Sequence, residues 1–190
     1  MEMDLVSHDL RKFATLMLRR NGYVLEQLLS PLVAHTTEAH AELAALAPGV
    51  LTSHHAHHYR GFAATQWRLF HRTGELKPLL YTFRALLTGI HLMRTGEVEA
   101  HLPSLLGAVP APGYLAELIA AKADAEHGPA DGVERERVHA DTEALHTVLA
   151  EAEAATALPD APTAFDALHD FVVRVRAEGP GRARGAAAED

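Results

Sequence analysis

Four histidines lie within five residues in the segment Ser53-His54-His55-Ala56-His57-His58-Tyr59. On a helix, His54 lies one turn from both His57 and His58, and two imidazoles at that spacing can hold a transition metal. A third ligand from elsewhere in the chain would be required. Because the chain has 14 histidines and no H-E-x-x-H pattern, the alternative is a polar helix start whose neutral imidazoles are solvated.

Two basic side chains lie at positions where a positive charge is unfavourable unless an anion lies nearby. Arg84 lies in the apolar run 83–87, where a half-buried guanidinium must pair with an acid or a phosphate. Lys77 directly precedes Pro78 near a predicted helix start, where the helix dipole disfavours a cation. Both positions therefore suggest an anionic ligand, and a structural ion pair is the alternative for Arg84.

Composition and charge limit the class of protein. The chain has 190 residues, 48% of them apolar and 6% aromatic, which favours one mainly helical domain with a core of Leu and Ala. Its net charge of -8 argues against a general nucleic-acid binder, although a local basic groove stays possible. Since the chain has no cysteine, disulfides and thiolate metal sites are excluded.

No targeting or membrane segment is predicted. The sequence has no run of 18 apolar residues, and its first residues, MEMDLVSHDLRK, carry acids where a signal peptide needs a basic region and an apolar core. We therefore expect a soluble cytoplasmic protein without a membrane partner.

The apolar spacing predicts a mainly α-helical bundle with one short N-terminal strand at residues 3–7. Asp9 or Ser7 is expected to cap the first helix, and Asn21-Gly22 to end it with a left-handed residue. Two long helices joined by Thr73-Gly74 are expected to form the core hairpin. Together with these, the predicted helices cover residues 10–18, 23–29, 38–46, 53–71, 75–94, 113–126, 132–156 and 162–176. These elements would form a single domain over residues 1–176, and a tail at 177–190 without an apolar face is expected to be disordered.

Four segments, in order, carry a resemblance to a known family. They are S-H-D-L-R-K-F at residues 7–13, N-x-x-V-L-E-x-L-x-S-P at 21–31, Y-R-G-F-A at 59–63, and K-P at 77–78 followed by F-R-A-L-L at 83–87. The chain resembles the C-terminal two-thirds of the YcgL-like predicted nucleotidyltransferases of the DNA polymerase beta superfamily. The resemblance covers residues 3–106, so residues 1–31 would be a remnant of the transferase core and residues 32–176 its helical region.

The resemblance implies transfer of a nucleoside monophosphate from a nucleoside triphosphate to an unidentified acceptor, with Mg²⁺ as cofactor. It makes Asp4 the candidate catalytic carboxylate, with a solvated strand residue as the alternative. It places Arg11 and Lys12 at nucleotide phosphates, because a forked guanidinium matches phosphate oxygens, and a solvated helix face is the alternative. Lys77 and Arg84 would contact the nucleotide or the acceptor.

The chain departs from the family pattern in one important respect. Polymerase-beta-type transfer needs a Gly-Ser turn and an Asp-x-Asp pair to hold two metals, and this sequence has neither. The resemblance would place both elements before residue 3, so we expect the chain to be incomplete and inactive alone. Its partner would be a separate N-terminal half, or a second copy paired through the strand at residues 3–7. The alternative is a helical-bundle metal-binding, ligand-binding or interaction protein that uses His54, His57 and His58.

Overall fold

The computed structural model describes residues 6–124, 130 and 133–178. These residues form a mainly helical protein without a sheet, which confirms the predicted fold class. The predicted strand falls largely outside them, and its described residues Val6 and Ser7 belong to neither a helix nor a strand. The elements are α1 (Leu10–Leu18), α2 (Gly22–Leu28), α3 (Glu38–Leu46), a 3-10 helix (Ala47–Val50), α4 (His55–Thr73), α5 (Leu76–Thr95), α6 (Leu102–Ala108), α7 (Leu115–Asp124), α8 (Arg135–Ala155) and α9 (Phe165–Glu178).

The chain divides into two compact units. The first combines residues 1–50 with residues 161–190, and the second is residues 51–160. The single domain predicted over residues 1–176 stays a prediction, and its parts 1–31 and 32–176 do not coincide with these units. The chain is helical as far as Glu178, while residues 179–190 of the predicted disordered tail lie outside the described residues.

The first unit joins two distant stretches of chain at a close backbone contact. The N–H groups of Thr163 and Ala164 both donate to the carbonyl of Gly49, at 2.8 and 2.9 Å. A Cβ at position 49 would lie 2.5 Å from the Cβ of Ala164, so the approach depends on glycine. Helices α1 and α3 both pack on α9 in this unit.

The second unit is built around α5. This helix is apolar on almost all sides and contacts α4, α6, α7 and α8. Its most extensive contact is with α4, which confirms the predicted core hairpin. Gly74 ends α4 in the left-handed conformation (φ 70°), as the Thr73-Gly74 pair predicted.

The end of α1 differs from the prediction. The left-handed residue after α1 is Arg20 (φ 62°), and Asn21 instead caps α2 by accepting a hydrogen bond from the Tyr23 N–H at 3.1 Å. The short amide side chain suits an N-cap as well as a C-terminal stop, and here the following helix uses it. Helix α3 ends at Leu46 as predicted, and Pro48 and Gly49 lie in the 3-10 helix that follows it.

None of the described helices has both the length and the apolar composition needed to cross a bilayer.

Candidate acceptor-binding site

Two of the sequence-predicted cations lie on one face of α5 with an aromatic ring between them. Lys77, Tyr81 and Arg84 follow one another at spacings of four and three residues, so they share a face of the helix. Lys77 is exposed, Tyr81 is 37% exposed and Arg84 is half-buried, as its sequence surroundings predicted. The Arg84 guanidinium carbon lies 5.0 Å from the centroid of the Tyr81 ring, within range of a cation–π interaction.

Helix α4 extends this face with two more rings. Phe62 meets Tyr81 edge to face at 6.3 Å between centroids. His58, one turn before Phe62, stacks parallel on it at 6.5 Å. We call the five residues His58, Phe62, Lys77, Tyr81 and Arg84 the aromatic–cationic patch.

The hairpin that carries this patch differs in charge from the rest of the chain. Residues 51–96 contain six Lys and Arg against a single acid, Glu75, a net charge of +5 in a chain whose total is -8. The negative total therefore hides a basic local region, which composition alone left open.

Such a surface can bind single-stranded nucleic acid through its bases and its phosphates. Nucleobases stack on exposed aromatic rings, and Lys and Arg beside them neutralise the phosphates. The patch offers one partly exposed ring between two cations along about 10 Å of helix, counting 1.5 Å per residue from 77 to 84. That arrangement suits one or two unstacked nucleotides of a single strand.

Arg11 and Lys12 lie in the first unit, side by side and exposed on α1. Both backbone N–H groups donate to Asp9 Oδ1, at 3.0 and 3.2 Å, which confirms Asp9 as the cap of this helix. Arg11 also lines a groove of about 500 Å³ between α1 and α9. Arg176 lines the same groove and approaches Asp9 Oδ1 at 4.0 Å. Asp4, the candidate catalytic carboxylate, lies outside the described residues.

The histidines of the cluster contact different neighbours. His54 stacks on His57 at 5.8 Å, whereas His58 stacks on Phe62. His57 Nε2 lies 3.5 Å from Glu153 Oε1 of α8. Within the described ranges, no three His, Cys, Asp or Glu side chains are placed to hold a metal ion.

Glu153 of α8 links this part of α4 to α8. Its carboxylate accepts a hydrogen bond from the Arg60 guanidinium at 2.6 Å, and both side chains are partly buried. Arg60 also lies 3.3 Å from His57 Nδ1. His57 therefore belongs to a helix–helix contact in the second unit.

A comparison with protein-family models settles the affiliation of the chain. Residues 1–174 match the model of RlaP, the RNA repair pathway DNA polymerase beta family. The chain belongs to this family. No curated protein and no solved structure matches it.

Membership in the RNA repair pathway DNA polymerase beta family implies a divalent metal, since polymerase-beta-like proteins typically use one. The residues that the structure describes do not by themselves form a site for it. The sequence has no Asp-x-Asp pair, and no three potential ligands come together in the part of the chain that the structure describes. We therefore assign no step of the chemistry to a metal held by these residues.

The sequence analysis did not identify two residues of the aromatic–cationic patch, Tyr81 and Phe62. Tyr81 could have been found, because it lies between Lys77 and Arg84 at helical spacing. Phe62 could not, because its contact with Tyr81 depends on how α4 packs against α5.

Proposed function

We propose that this chain takes part in nucleotidyl transfer during RNA repair, as the helical part that holds the acceptor strand. Its membership in the RNA repair pathway DNA polymerase beta family supports the reaction class. The observation that carries the proposal is the stripe of Lys77, Tyr81 and Arg84, packed on Phe62. It joins a stacking ring to two cations suited to phosphate, in a hairpin of net charge +5.

The remaining candidates take roles in the same reaction. Arg11 and Lys12 contact the phosphates of the nucleoside triphosphate, and Asp4 is the third carboxylate of a metal site. The Gly-Ser and Asp-x-Asp elements, which this sequence lacks, would come from other polypeptide. The acceptor hydroxyl gives its proton to water and attacks the α-phosphorus, the bond from that phosphorus to the α–β bridging oxygen breaks, and pyrophosphate leaves. Mg²⁺ held outside the described residues would neutralise the phosphate charge. We place this reaction in the cytoplasm.

Binding of RNA tests the acceptor site directly. We would measure fluorescence anisotropy of a labelled single-stranded RNA of about 12 nucleotides against the wild-type chain and Tyr81→Ala. Loss of one stacking ring is worth about 1–3 kcal/mol, so affinity should fall by about 5-fold to 150-fold. Lys77→Ala should weaken binding less and reduce the slope of log affinity against log salt by about 0.7.

A matched control separates the patch from general effects of losing a tyrosine. Tyr23 is 48% exposed and lies in the first unit, away from the patch along the chain. Tyr23→Ala should bind the RNA like wild type. Equal affinity of Tyr81→Ala and wild type would show that the patch does not hold RNA.

A transfer assay tests the reaction. The purified chain, given Mg²⁺, labelled nucleoside triphosphate and RNA, should transfer no label by itself. Joining it to the polypeptide encoded in frame upstream of Met1, where that polypeptide contains Gly-Ser and Asp-x-Asp, should restore transfer. Transfer by the chain alone would overturn the assignment of the metal site to other sequence. No transfer by the joined protein would overturn the reaction class.

A further inference from the structure

Helix α9 exposes two large apolar side chains placed symmetrically about a histidine. Phe165 is 57% exposed and Val173 is 55% exposed. His169 is also exposed and lies four residues from each of them, so all three share one face of the helix. Exposed apolar side chains aligned on one helix face are typical of a protein–protein contact.

We propose that this face binds the same face of a second copy of the chain, with the two α9 helices antiparallel and a two-fold axis at His169. In such a pair, residues equally distant from the axis in opposite directions meet. Phe165 of each copy then packs on Val173 of the other, and the two His169 side chains lie at the centre. A self-complementary patch of this kind is what a two-fold interface requires.

The charges along α9 fit the antiparallel arrangement. Asp166 lies in the first turn and Arg176 in the last turn. Asp166 lies three residues before His169, and Arg176 lies seven residues after it. The two-fold axis places Arg176 of the second copy seven residues before the axis, on the same side as Asp166 of the first. The two residues are therefore offset by four residues, about 6 Å along the helix. An arginine side chain can span that offset. In a parallel pair, like charges would meet instead.

The groove beside α9 has room for side chains of a second copy, and the short length of α9 limits the area of the contact. Phe165, His169 and Val173 themselves line the groove of about 500 Å³ between α1 and α9, together with Ala14 and Leu18 of α1. Apolar side chains of a second copy can enter that space. Because a 14-residue helix is only about 21 Å long, the contact is smaller than the roughly 800 Å² per partner of stable complexes. We therefore expect a dimer whose population rises with protein concentration.

A disulfide trap tests the axis itself. The chain has no cysteine, so His169→Cys introduces the sole thiol. Packed helix axes are about 8–10 Å apart and each Cα lies about 2.3 Å from its axis, which leaves facing Cα atoms about 3.4–5.4 Å apart. That distance is within or close to the range of about 4.4–6.8 Å that disulfides span. Mild oxidation should convert most of His169→Cys to a covalent dimer.

The matched control is Ala167→Cys, because Ala167 is also exposed but lies two residues away, on another side of α9. It should form the covalent dimer at least ten times more slowly. Equal rates for the two variants, or no covalent dimer of His169→Cys, would overturn the proposed axis.

Sedimentation of the full chain provides a second measurement. Wild type should pass from monomer to dimer as concentration rises, and Val173→Glu should raise the dissociation constant at least tenfold. Leu32→Glu, at a loop residue that is 90% exposed, should leave it unchanged. Asp166→Arg and Arg176→Asp should each weaken the dimer, and the double variant should restore it. A wild type that stays monomeric up to about 0.5 mM, well above the micromolar range of weak complexes, would overturn the proposal.

Discussion

His146 on α8 is half-buried, and this burial is the main reason why its pKa is lowered from the ordinary value of about 6.5. The negative charge of Glu143 raises the pKa by less than burial lowers it, and the positive charge of Arg60 makes a smaller lowering contribution. The folded protein therefore favours the neutral imidazole. The unfolded chain binds a proton at His146 more readily than the folded protein does. The free energy of unfolding is therefore unaffected by this histidine above pH about 6.5, and it falls as the pH drops below that value.

We expect His146→Gln to remove this part of the acid sensitivity. Urea unfolding at pH 7.5 and pH 5.5 should show a smaller loss of unfolding free energy for His146→Gln than for wild type. His139→Gln is the control, since His139 is exposed on the same helix. If wild type and His146→Gln lose the same free energy between the two pH values, protonation of His146 does not oppose folding.

Two helical glycines of the second unit give opposite predictions at the scale of the element. Gly89 lies inside α5, where a Cβ would stand 2.9 Å from the Tyr59 Cβ and 3.1 Å from the Leu149 Cδ1. Gly61 lies inside α4 and has nothing within 4 Å of the same position. Gly89 therefore lets α4 and α8 approach α5, whereas Gly61 only weakens its own helix.

Gly89→Ala should lower the free energy of unfolding by about 1–3 kcal/mol, because crowding outweighs the gain in helix propensity. Gly61→Ala should raise it by about 0.5–1 kcal/mol, because nothing opposes that gain. Thermal and urea unfolding of both variants measures the difference. Stabilisation by Gly89→Ala would mean that α4 and α8 can move away from α5 at little cost.

The sequence predicted elements well where apolar spacing and turn residues agreed. The helices α4 and α5 and the Gly74 turn between them follow from that agreement. Asn21 shows the limit, because the same side chain suits the end of one helix and the start of the next. Its role was decided by Arg20, which takes the left-handed conformation despite carrying a side chain.

At the scale of the whole molecule, the candidate site was only partly predictable. Lys77 and Arg84 follow from their surroundings in the sequence, but Phe62 enters the patch only through the packing of α4 on α5. The division into units was also hidden, because the first unit unites residues 1–50 with residues 161–190 across more than a hundred intervening residues. No local pattern reports such a pairing.

This division predicts how fragments of the chain behave. Residues 51–160 are contiguous and include α5 with the four helices that pack on it, so this fragment should fold alone and unfold cooperatively. Residues 1–50 should be largely unfolded alone, because their helices α1 and α3 pack on α9 and Gly49 accepts two hydrogen bonds from residues 163 and 164. Circular dichroism and urea titration of both fragments provide the measurement. Cooperative unfolding of fragment 1–50, or its absence in fragment 51–160, would show that the contacts within each unit do not set the folding units of this protein.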